Sequence, residues 1–252
     1  MLAECEVLFV PGLLGDLAVA LRWTDLFGYF DKHIDWLGSQ GVSCRSLSVD
    51  TEASVAENGE AIAGELGTAR RRVVLVAHSK GGLDVLEALL RHQELQPNVA
   101  ASVALQCPFA GSPVADIVVQ RPGLRAGAFL AMATLRGSRT TVTDLTTLVR
   151  RAYLRDNRDG VAHIIGAIPT LCIATRARNN PVPVADGLAG WPFLRRLGSA
   201  SDGLITPASA SLSGAPRVIL DGVDHTMTIQ PSIRPFDQVR LTKTMLAVAL
   251  GR

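Results

Sequence analysis

Short apolar segments recur along the chain and alternate with longer segments in which apolar residues have helical spacing. Brief runs rich in valine, leucine and isoleucine predict buried strands. The predicted strands cover residues 7–10, 42–49, 73–76, 101–106, 170–174 and 217–220. Because strands that alternate with helices form parallel sheets, the pattern predicts an α/β fold with one doubly wound, mostly parallel sheet of about six strands.

Helical periodicity fills several of the gaps between these strands. The predicted helices cover residues 23–37, 55–66, 83–90 and 237–250. We find no internal repeat and no low-complexity linker in the sequence. The whole chain, residues 1–252, is therefore predicted to form a single domain with a sizeable core.

One connection is too long for a simple crossover. About sixty residues separate the fourth predicted strand from the fifth, whereas a crossover helix with its loops needs about a dozen. This insertion, at about residues 110–168, contains an almost wholly apolar helix at residues 124–135, whose only charge is Arg125. We expect such a helix to be buried, because helices that are apolar all round normally are.

A second helix is predicted in the insertion at residues 142–154. Its apolar face excludes most of the local charge, so we expect three arginines to lie largely outside that face: Arg150, Arg151 and Arg155. Two interpretations stay open. The two helices could form a cap or lid over a hydrophobic cleft, or they could be a hairpin that completes the core.

Composition and charge exclude several classes of protein. The chain has 25 basic and 23 acidic side chains, so it lacks the cationic surface that binds nucleic acid. No apolar segment approaches the roughly 20 residues that span a bilayer, which predicts that there is no transmembrane segment. The N-terminal residues carry no signal-peptide pattern. We therefore expect a soluble, cytoplasmic protein of unknown oligomeric state.

The four cysteines are far apart and form no CxxC pair. They are Cys5, Cys44, Cys107 and Cys172. This spacing favours buried free thiols over a disulfide framework.

The candidate nucleophile is Ser79, in the segment AHSKGG at residues 77–82. An apolar strand precedes the segment and a helix follows it, which is the setting of a nucleophile elbow. In such an elbow the serine lies on a tight turn above the sheet edge, and small residues such as Ala77 and Gly81 are needed where the chains crowd together. The serine needs a base, and the base needs an acid that orients it.

The candidate base is His225, in the loop directly after the last predicted strand. The other histidines are less suitable: His33 and His92 lie in helical patterns and are expected at the surface, His78 adjoins the nucleophile, and His163 lies in the insertion. His225 is left as the histidine whose loop can reach the same sheet edge as Ser79.

The candidate acid is Asp202, in the segment SDGLI at residues 201–205, between the last two predicted strands. Asp186 lies in the same connection, in a proline-rich loop, and Asp224 adjoins the base. Adjacent residues rarely point the same way, which disfavours Asp224. Asp202 could also be an ordinary Asp-Gly turn residue.

Two backbone amides are candidates for an oxyanion hole. One belongs to Lys80, the residue after the nucleophile. The other belongs to Leu13, in the glycine-rich turn PGLLG at residues 11–15 after the first strand. The Lys80 ammonium is expected to bind an acidic product or to be solvated.

Four segments together resemble the α/β-hydrolase superfamily, and more narrowly the bacterial triacylglycerol lipases related to those of Pseudomonas and Burkholderia. They are VLFVPGLLG at residues 7–15, AHSKGGL at 77–83, CPFAGSPVAD at 107–116 and SDGLI at 201–205. The third is similar to the Thr-Pro-His-x-Gly-Ser stretch of these lipases, and the fourth to their acid loop. The resemblance implies an α/β-hydrolase fold with the triad Ser79, Asp202 and His225.

The sequence also departs from these lipases. Pro11 and Ala77 replace the usual histidine and glycine of the oxyanion turn and the elbow. The lipases have an aspartate two residues beyond the base, where it helps to bind a structural calcium ion, whereas this chain has Met227. We therefore expect neither calcium at that position nor any cofactor.

The predicted function is hydrolysis of a carboxylic ester through an acyl-enzyme, with a hydrophobic small molecule or lipid as the ester. Two alternatives stay open. An acyltransferase would use the same triad with an alcohol or thiol as acceptor, and a non-catalytic binding protein could retain the fold.

Overall fold

A single parallel sheet forms the centre of the molecule. The computed structural model describes residues 2–13, 28–134, 138, 140–177, 201–232 and 234–251. The six strands are β1 (Cys5–Val10), β2 (Cys44–Ser46), β3 (Arg72–His78), β4 (Val99–Leu105), β5 (Thr170–Arg176) and β6 (Arg217–Asp221). Their order is β2-β1-β3-β4-β5-β6 and every pair is parallel. The prediction of a six-stranded parallel sheet is confirmed.

Helices connect and cover these strands. The α-helices in the described parts of the chain are α1 (Asp31–Ser39), α2 (Val55–Thr68), α3 (Lys80–Arg91), α4 (Pro113–Gln120), α5 (Pro122–Thr134), α6 (Thr141–Asp144), α7 (Thr147–Asp156), α8 (Arg158–Ala167) and α9 (Gln238–Ala249), and short 3-10 helices cover Leu2–Glu4 and Gln93–Asn98. Helix α2 begins with a capping box, in which the Ser54 hydroxyl accepts from the Glu57 amide and the Glu57 carboxylate accepts from the Ser54 amide. The first part of the helix predicted at 23–37 lies outside the described residues.

The core has two halves, one on each face of the sheet. In β1, Leu8 packs with Ile62 and Leu83 of α2 and α3. The next residue, Phe9, packs on the opposite face with residues of α1 and α9 such as Leu37. Because successive strand residues point to opposite faces, a strand with an unbroken apolar run, such as residues 73–77 of β3, has both faces covered.

The insertion contains the predicted apolar helix, but the first half of that helix is exposed. Helix α5 covers Pro122–Thr134, and residues 121–127 are exposed, with Leu124 42% exposed. The expected burial is thus wrong for this half. The side chains of residues 129–134 lie outside the description.

The second predicted helix of the insertion is broken, which changes its buried face. Thr146 is extended (φ −70°, ψ 150°) and separates α6 from α7. The break turns Leu148 outward, where it is 80% exposed, and buries Arg150, which is 2% exposed. The Arg150 guanidinium lies 4.2 Å from the centre of the Tyr153 ring. The expectation that Arg150 lies outside the buried face is therefore wrong.

All four cysteines are free thiols; three are buried and Cys44 is partly exposed. Within the described ranges, none of the helices combines the length and the apolar character that crossing a bilayer requires.

His33 is buried, which contradicts the expectation that it lies at the surface. Its Nε2 donates to the Thr228 carbonyl at 2.7 Å, and its Nδ1 lies 2.6 Å from the Thr242 hydroxyl. Burial lowers the pKa of His33 to about 4. The ring therefore stays neutral in the folded protein at pH values where an unfolded histidine is charged.

Replacing His33 by Gln is expected to flatten the dependence of stability on pH. Between pH 6.5 and 4 the unfolded chain binds a proton at His33 that the folded protein does not, so stability is lost as the pH falls. The parent should lose on the order of 3 kcal/mol more than His33→Gln across this range. Urea unfolding at several pH values measures this loss. His92→Gln, at a partly exposed histidine, is the control, and equal pH slopes for His33→Gln and the parent would contradict the assignment.

Candidate active site

The loops that follow five of the parallel strands meet at one edge of the sheet. The turn at residues 11–13 follows β1, Ser79 follows β3, and Gln106 follows β4. Asp202 lies between β5 and β6, and His225 lies four residues beyond the end of β6. Parallel strands bring their carboxyl ends to the same edge, which is where open α/β sheets bind ligands.

Ser79 lies on a strained turn between β3 and α3. Its φ is 53° and its ψ −128°, in a region that side chains larger than glycine rarely adopt. The Ser79 amide donates to the Leu105 carbonyl at 2.9 Å, which ties the turn to the end of β4. Ser79 itself is partly exposed.

Glycines allow the chain to pack closely around this turn. A Cβ on Gly12 would lie 2.7 Å from the Ser79 Cβ. A Cβ on Gly81 would lie 2.5 Å from the Pro11 carbonyl oxygen and 2.6 Å from that of Val10. Since real Cβ atoms do not approach so closely, both positions require glycine. Gly81 is the elbow glycine that the sequence predicts.

The structure brings Ser79, His225 and Asp202 into one hydrogen-bonded series. The His225 Nε2 lies 3.0 Å from the Ser79 Oγ, and the His225 Nδ1 lies 2.8 Å from the Asp202 Oδ2. His225 is 4% exposed and Asp202 is 1% exposed. With the Nδ1 proton donated to the carboxylate, the Nε2 lone pair faces the hydroxyl, so the histidine can accept the serine proton.

The Asp202 carboxylate is held by four donors. Its Oδ1 accepts from the Leu204 amide at 2.9 Å and the Ile205 amide at 2.7 Å. Its Oδ2 accepts from His225 and, at 3.2 Å, from the Gln106 Nε2. A buried carboxylate needs such partners, because burial without them costs several kcal/mol. The Asp-Gly turn is present, and it aims one carboxylate oxygen at the base.

Asp224, a competing candidate acid, does not form this contact with His225. The Asp224 Oδ1 accepts from the Thr226 amide at 3.0 Å and the Met227 amide at 2.9 Å, so it caps its own loop. Asp186 lies outside the described residues.

The turn after β1 lies directly against the nucleophile. The Gly12 amide donates to the Tyr29 hydroxyl at 2.8 Å and is therefore already engaged. The next residue, Leu13, is partly exposed. The predicted amide of Lys80 belongs to the first residue of α3, where backbone N–H groups lack partners within the helix. The two predicted oxyanion residues therefore lie on the two segments that flank Ser79.

The Lys80 side chain contradicts both of its expected roles. It is 0% exposed, and its ammonium lies 3.0 and 3.1 Å from the two carboxylate oxygens of Asp84. Asp84 also accepts from Asn58 at 3.0 Å. Burial raises the pKa of Asp84 to about 6, although Lys80 opposes this shift. The ammonium is therefore neither solvated nor accessible to a product, and its ion pair with Asp84 joins the first two turns of α3.

Gln106 is a functional candidate that sequence reasoning missed. It is fully buried with a positive φ of 53°. Its Nε2 lies 2.6 Å from the Thr175 hydroxyl and 2.8 Å from the Asp224 carbonyl, in addition to Asp202. A glutamine at the end of an apolar strand was the available signal. The Gln106 side chain connects the loop of Asp202 to the loop of the candidate base, His225.

Tyr29 and His78 form a second link that the sequence did not reveal. The Tyr29 hydroxyl lies 2.6 Å from the His78 Nδ1, and the His78 Nε2 lies 2.9 Å from the His225 carbonyl oxygen. His78 adjoins the nucleophile in sequence, which was a signal of its nearness but not of this contact. No motif marked Tyr29.

Among the residues that the structure describes, no group of three or more His, Cys, Asp or Glu side chains could hold a metal ion. Met227, which the sequence analysis compared with a calcium-binding aspartate of the lipases that the chain resembles, is 3% exposed.

Solved structures of similar fold are esterases and lipases. A metagenomic carboxyl esterase has a TM-score of 0.77 and 20% identity, over 100% of this chain and 75% of its own. A Bacillus licheniformis lipase in mature form has a TM-score of 0.68 and 21% identity, over 88% and 85%. Lipase 1 from Pelosinus fermentans has a TM-score of 0.64 and 12% identity, over 98% and 99%. The chain therefore has the predicted α/β-hydrolase fold.

Comparisons by sequence add no family: no protein-family model and no curated protein matches the chain.

Replacing Gly81 by Ala is expected to destabilise the protein. The new methyl group would collide with backbone carbonyls of the neighbouring turn, which cannot rotate away. Such overpacking costs about 1–3 kcal/mol, and we expect the upper end of this range. Gly64→Ala, in an exposed part of α2 where no atom lies within 4 Å, should instead stabilise by about 0.5–1 kcal/mol. Urea unfolding measures both changes, and a Gly81→Ala variant as stable as the parent would refute the close packing.

Proposed function

We propose that this protein is a serine hydrolase that cleaves carboxylic esters, with Ser79 as nucleophile, His225 as base and Asp202 as the orienting acid. The observation that carries the proposal is the hydrogen-bonded series from the Asp202 carboxylate through His225 to the Ser79 hydroxyl. The esterases and lipases of similar fold support the reaction class. The assignment of the activity to this chain rests on the geometry of the site.

Acylation is the first half of the proposed reaction. The Ser79 Oγ attacks the carbonyl carbon of the ester while its proton passes to the His225 Nε2. The resulting oxyanion accepts hydrogen bonds from the Leu13 and Lys80 amides. As the carbonyl re-forms, the ester C–O bond breaks and the leaving alkoxide takes the proton from His225. An alcohol departs and the acyl group remains on Ser79.

Deacylation repeats these steps with water. His225 takes a proton from the water as its oxygen attacks the acyl carbon, and the same proton then passes to the Ser79 oxygen. The carboxylic acid is released and the serine hydroxyl is restored. In both steps the Asp202 carboxylate accepts from the His225 Nδ1, which holds the imidazole in one tautomer and stabilises the imidazolium.

The proposed substrate is a hydrophobic or lipidic ester. The described part of the insertion supports this choice through exposed apolar side chains, with Leu148 80%, Leu124 42% and Val149 39% exposed. The insertion at about residues 110–168 would then act as a cap or lid over the acyl group. Rates on p-nitrophenyl esters of increasing acyl length would locate the preferred chain.

Replacing Ser79 by Ala is expected to abolish hydrolysis of p-nitrophenyl butyrate while leaving the circular dichroism spectrum unchanged. Loss of the nucleophile typically lowers kcat by about 10⁶-fold. A fluorophosphonate probe should label the parent at Ser79 and leave this variant unlabelled. The control is Ser112→Ala, which removes a serine that caps α4 and should still be labelled. Parent-level hydrolysis by Ser79→Ala would disprove the assignment.

Replacing Asp202 by Asn is expected to lower kcat on the order of 10³- to 10⁴-fold, because the amide stabilises the wrong tautomer of His225. The matched control is Asp224→Asn, which keeps an oxygen that can accept from the two loop amides and should change kcat less than tenfold. Steady-state kinetics on the same ester measures both. A larger loss of kcat in Asp224→Asn than in Asp202→Asn would contradict the prediction and identify Asp224 as the orienting acid.

A further inference from the structure

We propose that Tyr29 and His78 are positioning residues that form a buried bridge between the turn beside the nucleophile and the loop of the base. This bridge, from the Gly12 amide through Tyr29 and His78 to the His225 carbonyl, is hereafter the Tyr–His bridge. The inference rests on the proposed function, since it assigns to these residues the task of holding the oxyanion turn and the base in register.

The direction of every hydrogen bond in the bridge is fixed by its two ends. The His225 carbonyl can only accept, so the His78 Nε2 carries the proton. In a neutral ring the Nδ1 then accepts, and the donor to it is the Tyr29 hydroxyl. The Gly12 amide can only donate, and it donates to the Tyr29 oxygen. The series therefore has one consistent direction and no unsatisfied member.

The surroundings keep both members of the bridge neutral. Tyr29 is 6% exposed and His78 is 3% exposed. Burial, and next the charge of His225, lowers the pKa of His78 well below its usual value. Burial raises the pKa of the Tyr29 hydroxyl. The neutral forms of His78 and Tyr29 that the bridge needs are thus favoured at neutral pH.

Neutrality of His78 also matters to the base. The rings of His78 and His225 lie 4.7 Å apart, centre to centre. A charged His78 would repel the imidazolium that His225 becomes during acyl transfer. The bridge uses His78 as a neutral donor, so it fixes His225 without opposing its protonation.

The bridge completes the restraint of both catalytic segments. His225 is held through its carbonyl by His78, through Nδ1 by Asp202 and through its amide, which donates to the Asp202 carbonyl at 3.1 Å. On the other side, the bond from Gly12 to Tyr29 fixes the peptide that precedes the Leu13 amide. Misplacement of such groups by about 1 Å can cost a hundredfold in rate.

Replacing Tyr29 by Phe tests the bridge, with Tyr153→Phe as the matched control. Both variants lose one buried or half-buried tyrosine hydroxyl, and that of Tyr153 donates to Glu87, away from the reacting groups. We expect Tyr29→Phe to lower kcat for p-nitrophenyl butyrate about ten- to a hundredfold, with KM changed less than twofold. Tyr153→Phe should keep the parent kcat.

Inhibition by phenylboronic acid separates positioning from a merely structural role. The boronate bound to serine mimics the tetrahedral intermediate, so its Ki should rise in Tyr29→Phe by the factor by which kcat/KM falls. A structural role would lower the melting temperature and leave kcat and Ki at the parent values. Equal kcat and Ki in Tyr29→Phe and Tyr153→Phe would overturn the inference.

A second variant, His78→Phe, shows whether the two residues act as one unit. Adding Tyr29→Phe to it should cost little further activity, because the bridge is already broken. Full additivity of the two losses would also overturn the inference. If the parent hydrolyses the ester and Ser79→Ala does not, such results refute the bridge alone. An inactive parent that no fluorophosphonate labels would refute the proposed function and the inference together.

Discussion

The left-handed turn at Ser79 is the constraint from which the rest of the site follows. A serine at φ 53° and ψ −128° is strained by about 1–3 kcal/mol, and it persists only where its neighbours hold it. Three neighbours hold the turn in place. Its amide donates to the Leu105 carbonyl at the end of β4, helix α3 begins directly after it at Lys80, and the turn at Gly12 packs against it. The close packing requires glycine at positions 12 and 81. The first residue of α3, Lys80, is buried and paired with Asp84 in the same helix.

The buried polar side chains around Ser79 form hydrogen bonds that connect neighbouring loops. Asp202 joins its own loop to the base, Gln106 joins the acid loop to the carbonyl of Asp224, and His78 holds the carbonyl of His225. In their described residues these loops contain neither helix nor strand, so their relative positions depend on buried side-chain hydrogen bonds. Such networks specify a geometry well because each unsatisfied member costs about 1–3 kcal/mol.

The sheet and the elements around Ser79 were predictable because their sequence signals are local. An apolar run followed by AHSKGG predicts a strand, a turn and a helix within one short segment. All six predicted strands are present. The burial of His33 and Arg150 was not predictable, since it depends on which distant backbone groups meet their polar ends. Gln106 and Tyr29 were missed for the same reason: their partners lie 17 to 122 residues away. In the insertion, the helix predicted at residues 142–154 is interrupted at Thr146. The residues on either side of the interruption do not share one face, so the periodicity of the whole segment predicted the wrong buried face.

Three histidines near this edge illustrate how contacts, rather than residue type, decide chemical roles. His33 lies in an aromatic pocket beside Phe9 and Phe30, and burial keeps it neutral. His78 is neutral as well, but its two nitrogens join a hydroxyl to a backbone carbonyl. His225 alone of the three has a carboxylate at one ring nitrogen and the Ser79 hydroxyl at the other. In the proposed reaction the Asp202 carboxylate would stabilise the imidazolium that forms on His225, whereas burial lowers the pKa of His78, whose ring centre lies 4.7 Å away. The uncharged His78 ring thus holds the His225 backbone without adding a charge beside it.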